Sequence, residues 1–363
     1  MKYRKNRVVG FIICCATLMF FATSERAISN TVYYITDRNY VGGNTRFGTE
    51  RALGGLVSFG SIDYDPHSGN INADSGAPIA SCNIAAMTPS CSTFLSRIVD
   101  AVEQSPTQRL LIYVHGFNNT FQAALQDAIM FDRFVNDGGI VVFFSWPSKG
   151  TLQKYLDDET QATWSAPHFS FILKSILDSM NGRTTDVISH SLGSRLIAQA
   201  LFEESLRHHA GDPTRVQQVI FHAADIDRDT LEQYIEAFAS TVGHVTMYTS
   251  SHDLAMMLSE RLHGHARGGQ AGTELLTGAT YDTIDASYVP RQDGACHDYK
   301  ADPIALGDMR ELLSKGTPIY ERANEIKVRR PDAKQYYELY DPSKPKVPCR
   351  GSLWRELIDY FHI

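Results

Sequence analysis

Most features that mark a specialised chain are missing. The 363 residues contain no internal repeat and no low-complexity segment, which excludes a solenoid or a fibrous array. Positive charge is not in excess: 34 Lys and Arg stand against 41 Asp and Glu, a net charge of −7 that argues against nucleic acid as the main partner. The one local basic run, Lys327-Val-Arg-Arg330, reads as solvated surface. No Gly-rich phosphate loop and no dinucleotide fingerprint occurs, so no cofactor is implied. Cysteine spacing fits no zinc site, and His263-Gly-His265 lacks evident companion ligands, so no metal is implied either. What is present is ordinary for a globular protein: 43% hydrophobic and 21% charged residues, in a length that suits one large domain or two of common size.

The N-terminus is the exception. Lys2, Arg4, Lys5 and Arg7 precede a nearly unbroken apolar run from Val8 to Ala22, and small residues follow at Ala22 and Ser24. That is the pattern of an export signal. At ~1.5 Å per residue the run makes a helix of about 22 Å, short of the roughly 30 Å hydrocarbon core. A cleaved signal over residues 1–24 is therefore expected rather than a short membrane anchor, and with it a periplasmic location. The four cysteines beyond it, Cys82, Cys91, Cys296 and Cys349, suit disulfides in an exported chain. Three pairings are possible, of which Cys82–Cys91 with Cys296–Cys349 is preferred.

Thr31-Val-Tyr-Tyr-Ile-Thr36 reads as a strand, followed by a Gly-rich hairpin region to about Gly60 and a polar loop from Asp63 to Cys91. A regular alternation then begins. Strands are expected at Leu110–Val114, Ile140–Phe144, Asp186–Ile188, Val216–Phe221, His244–Tyr248 and Thr283–Ala286. Helices are expected between them at Thr93–Glu103, Phe121–Val135, Ser170–Met180, Leu192–Arg207, Thr230–Ser240 and Leu254–Leu262. Asn119 with Gln122 is the expected cap of the second. Apolar strands alternating with amphipathic helices imply an α/β fold, a mostly parallel central sheet covered on both faces. Residues 25–319 form that domain by this reading. Residues 320–363, ending in a short helix at Leu353–Phe361, form a C-terminal extension.

The chemistry concentrates in Ser189-His-Ser-Leu-Gly193, where an apolar strand ends and a helix begins at once. Small residues two before and two after Ser191 permit the sharp turn of a nucleophile elbow, with the serine hydroxyl exposed. A second signal lies upstream. The strand ending at Val114 closes on His115-Gly116-Phe117, where the glycine lets the Phe117 N–H face the same point as the Leu192 N–H.

Taken together the chain resembles an α/β-hydrolase, and more narrowly a bacterial group of esterase/lipase-like proteins of unassigned substrate. The segments that carry the resemblance are Tyr34-Ile-Thr-Asp-Arg38, His115-Gly-Phe-Asn-Asn119, Phe144-Ser-Trp-Pro-Ser148, Ser189-His-Ser-Leu-Gly193, Ala224-Asp-Ile-Asp227, Tyr248-Thr-Ser-Ser-His-Asp253 and Cys296-His297. Ser189 and Ala224 depart from the group's commoner Gly or Ala and Pro. The resemblance implies a triad in chain order: Ser191, an acid, then a histidine. Asp253, after the later strand, is preferred as acid over Asp225, and His297 is preferred among 13 histidines. Asp227 is expected to cap a helix. The implied activity is hydrolysis of a small-molecule or lipid carboxylic ester through an acyl-enzyme, with Phe117 and Leu192 supplying the oxyanion N–H groups. A non-catalytic scaffold that binds a ligand or partner, or an acyltransferase, would suit the same fold.

Overall fold

The computed structural model describes residues 30–72, 76–83, 89–209, 211–290, 294–323, 325–329, 335–347 and 349. The N-terminal segment expected as an export signal and the helix expected at Leu353–Phe361 lie outside these residues.

Eight strands run parallel through the middle of one 11-stranded sheet. In chain order they are β1 (Asn30–Thr36), β6 (Arg109–Val114), β7 (Ile140–Ser145), β8 (Thr184–His190), β9 (Val216–His222), β10 (Val242–Thr249), β11 (Asp282–Asp285) and β13 (Gln335–Leu339). Antiparallel strands finish both edges: β4 (Leu56–Tyr64) and β5 (Ala80–Asn83) beside β1, and β12 (Glu325–Arg329) beside β13. A separate hairpin, β2 (Arg38–Gly42) and β3 (Arg46–Arg51), fills the Gly-rich region. The segment from residue 320, read as an extension, thus lengthens the same sheet.

Seven helices occur among the described residues: α1 (Pro89–Gln104), α2 (Phe121–Phe134), α3 (Tyr155–Ser179), α4 (Gly193–Ser205), α5 (Arg228–Phe238), α6 (Leu254–His263) and α7 (Pro303–Lys315). None is long and apolar enough to cross a membrane. They cover both faces because strand side chains alternate. On β6, Leu111 and Tyr113 join a core with Phe121, Leu125, Met309 and Leu312 of α2 and α7. Leu110, Ile112 and Val114 join the opposite core with α1, α3, α4 and α5, including Phe94, Phe169, Leu196 and Phe238.

Three expectations are corrected. α3 starts at Tyr155, well before Ser170, and runs through Pro167. Proline removes the N–H that would reach the Thr163 carbonyl, but Pro167 and Thr163 both lie on the exposed face, where water can replace it. α7 was not expected at all. α2 is capped by Thr120, whose hydroxyl accepts from Ala123 N at 3.2 Å, not by Asn119, whose backbone carbonyl and side chain are engaged elsewhere.

The sheet order β9-β8-β6-β7-β1 reverses direction at β6. Beyond the carboxyl ends of β6 and β8 lies the crevice where open α/β sheets bind ligands. Ser191 follows β8, and His115-Gly116-Phe117 follows β6.

Candidate active site

Ser191 sits between β8 and α4 with φ 51°, in the left-handed region that non-glycine residues rarely occupy. Its backbone is pinned on both sides: its N–H donates to His222 O at 3.0 Å and its carbonyl accepts from Asp225 N at 3.1 Å. Two glycines let the neighbouring chain approach. A Cβ on Gly116 would stand 2.6 Å from the Ser191 Cβ, and one on Gly193 would stand 2.4 Å from His115 O. No side chain fits either gap. Ser189 tolerates its place because its hydroxyl pairs with Ser194 Oγ at 3.0 Å. The expected exposure of Ser191 is not found: it is 2% exposed, with Gly116 packed against it.

Asp253 lies buried at the N-cap of α6. One carboxylate oxygen accepts from Met256 N at 3.0 Å, and the other is 2.7 Å from His297 Nδ1. The bond to the helix N-terminus fixes the orientation of the carboxylate. An acceptor at Nδ1 places the proton there, which leaves the lone pair of a neutral imidazole on Nε2. The loop bearing His297 is tied to the same helix start, since Leu254 N donates to Ala295 O at 2.9 Å. The His297 ring lies 4.6 Å from that of His190, the residue before Ser191.

Among the described residues, the N–H groups of Phe117 and Leu192 donate to no protein acceptor. The next two N–H groups along the loop are engaged: Asn118 N reaches an Asp158 carboxylate oxygen at 3.3 Å, and Asn119 N reaches Ser148 Oγ at 3.1 Å.

Two buried imidazoles beside the serine, those of His115 and His190, resist protonation. Burial, reinforced by Arg38, holds His115 well below the usual histidine range. Burial, reinforced by Lys300 and the imidazoles of His297 and His222, does the same to His190.

Asp225, whose backbone N–H binds the Ser191 carbonyl, is differently engaged. It accepts from Tyr155 OH at 2.6 Å, Ser259 Oγ at 2.7 Å and Arg267 Nε at 2.9 Å. Burial pushes its carboxyl up, and Arg195, Arg267 and these hydroxyls outweigh that, leaving it below the ordinary aspartate value. It does not touch His297 through any of these contacts. Asp227 caps α5, accepting from Thr230 N at 2.8 Å. His263, at the end of α6, faces Glu159 at 2.8 Å. Among the described residues no cluster of three metal-ligating side chains occurs. Arg38, Ser148 and Asp158 carry no expected role from residue pattern, although Arg38 and Ser148 end two of the segments that bear the resemblance.

A parallel sheet with its switch point at a strained serine elbow, faced by a glycine-lined loop and a carboxylate–imidazole pair, defines an α/β hydrolase scaffold. The chain belongs to the family described as alpha/beta hydrolase of unknown function (DUF900), whose model matches residues 92–302, more than half of its length. It is also similar to an uncharacterized protein of Nostoc sp., 26% identical over 144 residues. That similarity covers 33% of this chain and 37% of the Nostoc protein.

Proposed function

We propose that this chain is a serine hydrolase that cleaves carboxylic esters of small molecules or lipids and acts after export, in the periplasm. Ser191 attacks the acyl carbon. His297 Nε2 takes the serine proton and delivers it to the leaving alcohol, while Asp253 holds the imidazole and stabilises its charged form. The oxyanion of the tetrahedral intermediate accepts from Phe117 N–H and Leu192 N–H. Water then hydrolyses the acyl-enzyme by the same proton path in reverse.

The observation that carries this reading is the Asp253–His297 pair, anchored on the α6 N-terminus with its imidazole against the ring of His190, one residue before the elbow serine. A binding scaffold has no need of an imidazole whose tautomer is so fixed. The two disulfides support export.

The test is fluorophosphonate labelling together with turnover of p-nitrophenyl esters of graded chain length. The wild-type chain is expected to label once and turn over. Ser191→Ala is expected to lose labelling and about 10⁴- to 10⁶-fold in turnover while keeping its melting temperature. Normal ester hydrolysis by that variant would end the reading.

A further inference from the structure

Tyr34-Ile-Thr-Asp-Arg38 and Phe144-Ser-Trp-Pro-Ser148 contribute no reacting group, yet they meet beneath the loop that carries Phe117. Arg38 is fully buried. A guanidinium has five N–H donors and no acceptor, and each finds a partner here. Nε donates to Ser145 Oγ at 2.8 Å. One terminal nitrogen donates to Gly48 O at 3.1 Å and Ser148 O at 3.0 Å. The other donates to Asn119 O at 2.7 Å and faces His115 Nε2 at 3.4 Å. None of these partners is a carboxylate. Burial works against the charge, and Asp37 and Asp158 favour it only from a distance. A buried cation without a contacting counter-ion is an expensive way to join loops. Its orientation explains what it does.

Because Arg38 can only donate, the nitrogen it faces must carry a lone pair. Ser145 Oγ, which accepts from Arg38 Nε, also lies 3.3 Å from His115 Nε2 and can donate to it. The proton of neutral His115 is thereby placed on Nδ1, which lies 2.8 Å from Gly116 O and donates to it. The Gly116–Phe117 peptide is planar and trans, so its carbonyl and N–H point in opposite directions. Holding the Gly116 carbonyl therefore aims the Phe117 N–H. Trp146 Nε1, donating to His115 O at 2.8 Å, and Arg38, donating to Asn119 O, hold the two ends of the loop.

We propose that Arg38 is a positioning residue for the oxyanion loop: it fixes the His115 tautomer, and through the Gly116 carbonyl it directs the Phe117 N–H toward the space above Ser191. This rests on the ester-hydrolase reading and adds a residue to it. Arg38 touches no substrate; its effect on the direction of the Phe117 N–H passes through His115, while its bond to Asn119 O only fastens the far end of the loop.

Two measurements test it. The first is kinetic and uses the full chain. Arg38→Lys keeps the charge but loses the fork, and is expected to lower kcat by 10- to 100-fold with KM little changed, since an oxyanion donor acts in the transition state. His115→Asn retains an amide donor near the Nδ1 position that has no tautomer to set. In that background Arg38→Lys is expected to cost less than threefold. Equal losses in both backgrounds, or an unchanged kcat in folded Arg38→Lys, would overturn the proposal. The second needs no Arg38 variant to fold. In ¹⁵N-histidine spectra of the wild-type protein, with the signal assigned by its loss in His115→Asn, His115 is expected as the neutral Nδ1–H tautomer throughout pH 5 to 8. An Nε2–H tautomer or a titrating ring would overturn the proposal. A wild-type chain that neither labels nor turns over would instead defeat the hydrolase reading while leaving the tautomer measurement intact.

Discussion

Asp253 and Asp225 follow neighbouring strands, and their partners assign them different work. Asp253 spends one oxygen on a helix N-terminus and one on an imidazole; Asp225 is saturated by Tyr155, Ser259 and Arg267. Asp253→Asn should therefore lower turnover by several orders of magnitude with little change in melting temperature, because an amide can no longer select the Nδ1–H tautomer. Asp225→Asn removes the charge that compensates buried Arg267. It should cost about 3–5 kcal/mol of stability in urea titrations and spare the chemistry below its unfolding midpoint. The reverse pattern would reassign the acid. Chain order was enough to favour Asp253 from sequence. The Asp225 network was not legible, since Tyr155, Ser259 and Arg267 lie on segments whose meeting only the fold determines. Arg38 escaped notice for the same reason: its partners are mostly backbone carbonyls, which leave no trace in residue identity.

At the scale of elements, seven of the eight parallel strands were readable from short apolar or β-branched runs, whereas β13, the mixed run Gln-Tyr-Tyr-Glu-Leu in the expected extension, was not, and only the second half of α3 was, because its first half is polar and leads into Pro167. The amino ends of three of these strands are joined by one carboxylate. Asp186 on β8 pairs with Arg109 on β6 and accepts from Gln218 N on β9 at 3.1 Å. Burial raises its pKa from 3.8 to about 6, against the opposing pull of Arg109. The folded state then binds a proton that the unfolded state does not between about pH 6 and pH 4. This group's contribution must rise as pH falls through 6 and level off below 4. Asp186→Asn has no such proton. The stability of the wild type minus that of Asp186→Asn, from urea midpoints at pH 4 to 7, should grow on acidification by on the order of 3 kcal/mol. A difference that is flat with pH would show that the carboxylate is not perturbed in this way.

Across the whole molecule, the chain's last strands return to the site through a covalent link. β13 lies beside β11 over a register of only two residue pairs, Ile284↔Tyr337 and Asp285↔Glu338. Beyond it, Cys349 is bonded to Cys296, the residue before His297, while Cys82–Cys91 joins β5 to α1 at the far edge of the sheet. Chain entropy ranks the two bonds close together: their sequence separations of 53 and 9 residues correspond to about 4 and about 3 kcal/mol. Their effects on the proposed chemistry should differ far more. Cys296 holds φ 55°, a left-handed turn that leads directly into His297, and Lys300 beyond it is anchored against Asp127 at 3.4 Å. Freeing Cys296 releases one end of this short loop, and a small misplacement of a catalytic imidazole can cost on the order of 10²-fold. Cys349→Ser should therefore lower kcat by at least 10-fold at temperatures where it remains folded, whereas Cys82→Ser should lose comparable stability and keep kcat within about twofold. Circular dichroism melts set the temperature, and ester turnover below both midpoints gives the comparison. Equal kcat in the two variants would mean that hydrogen bonds alone hold His297 in place, and that the link to Cys349 serves only to fasten the edge of the sheet.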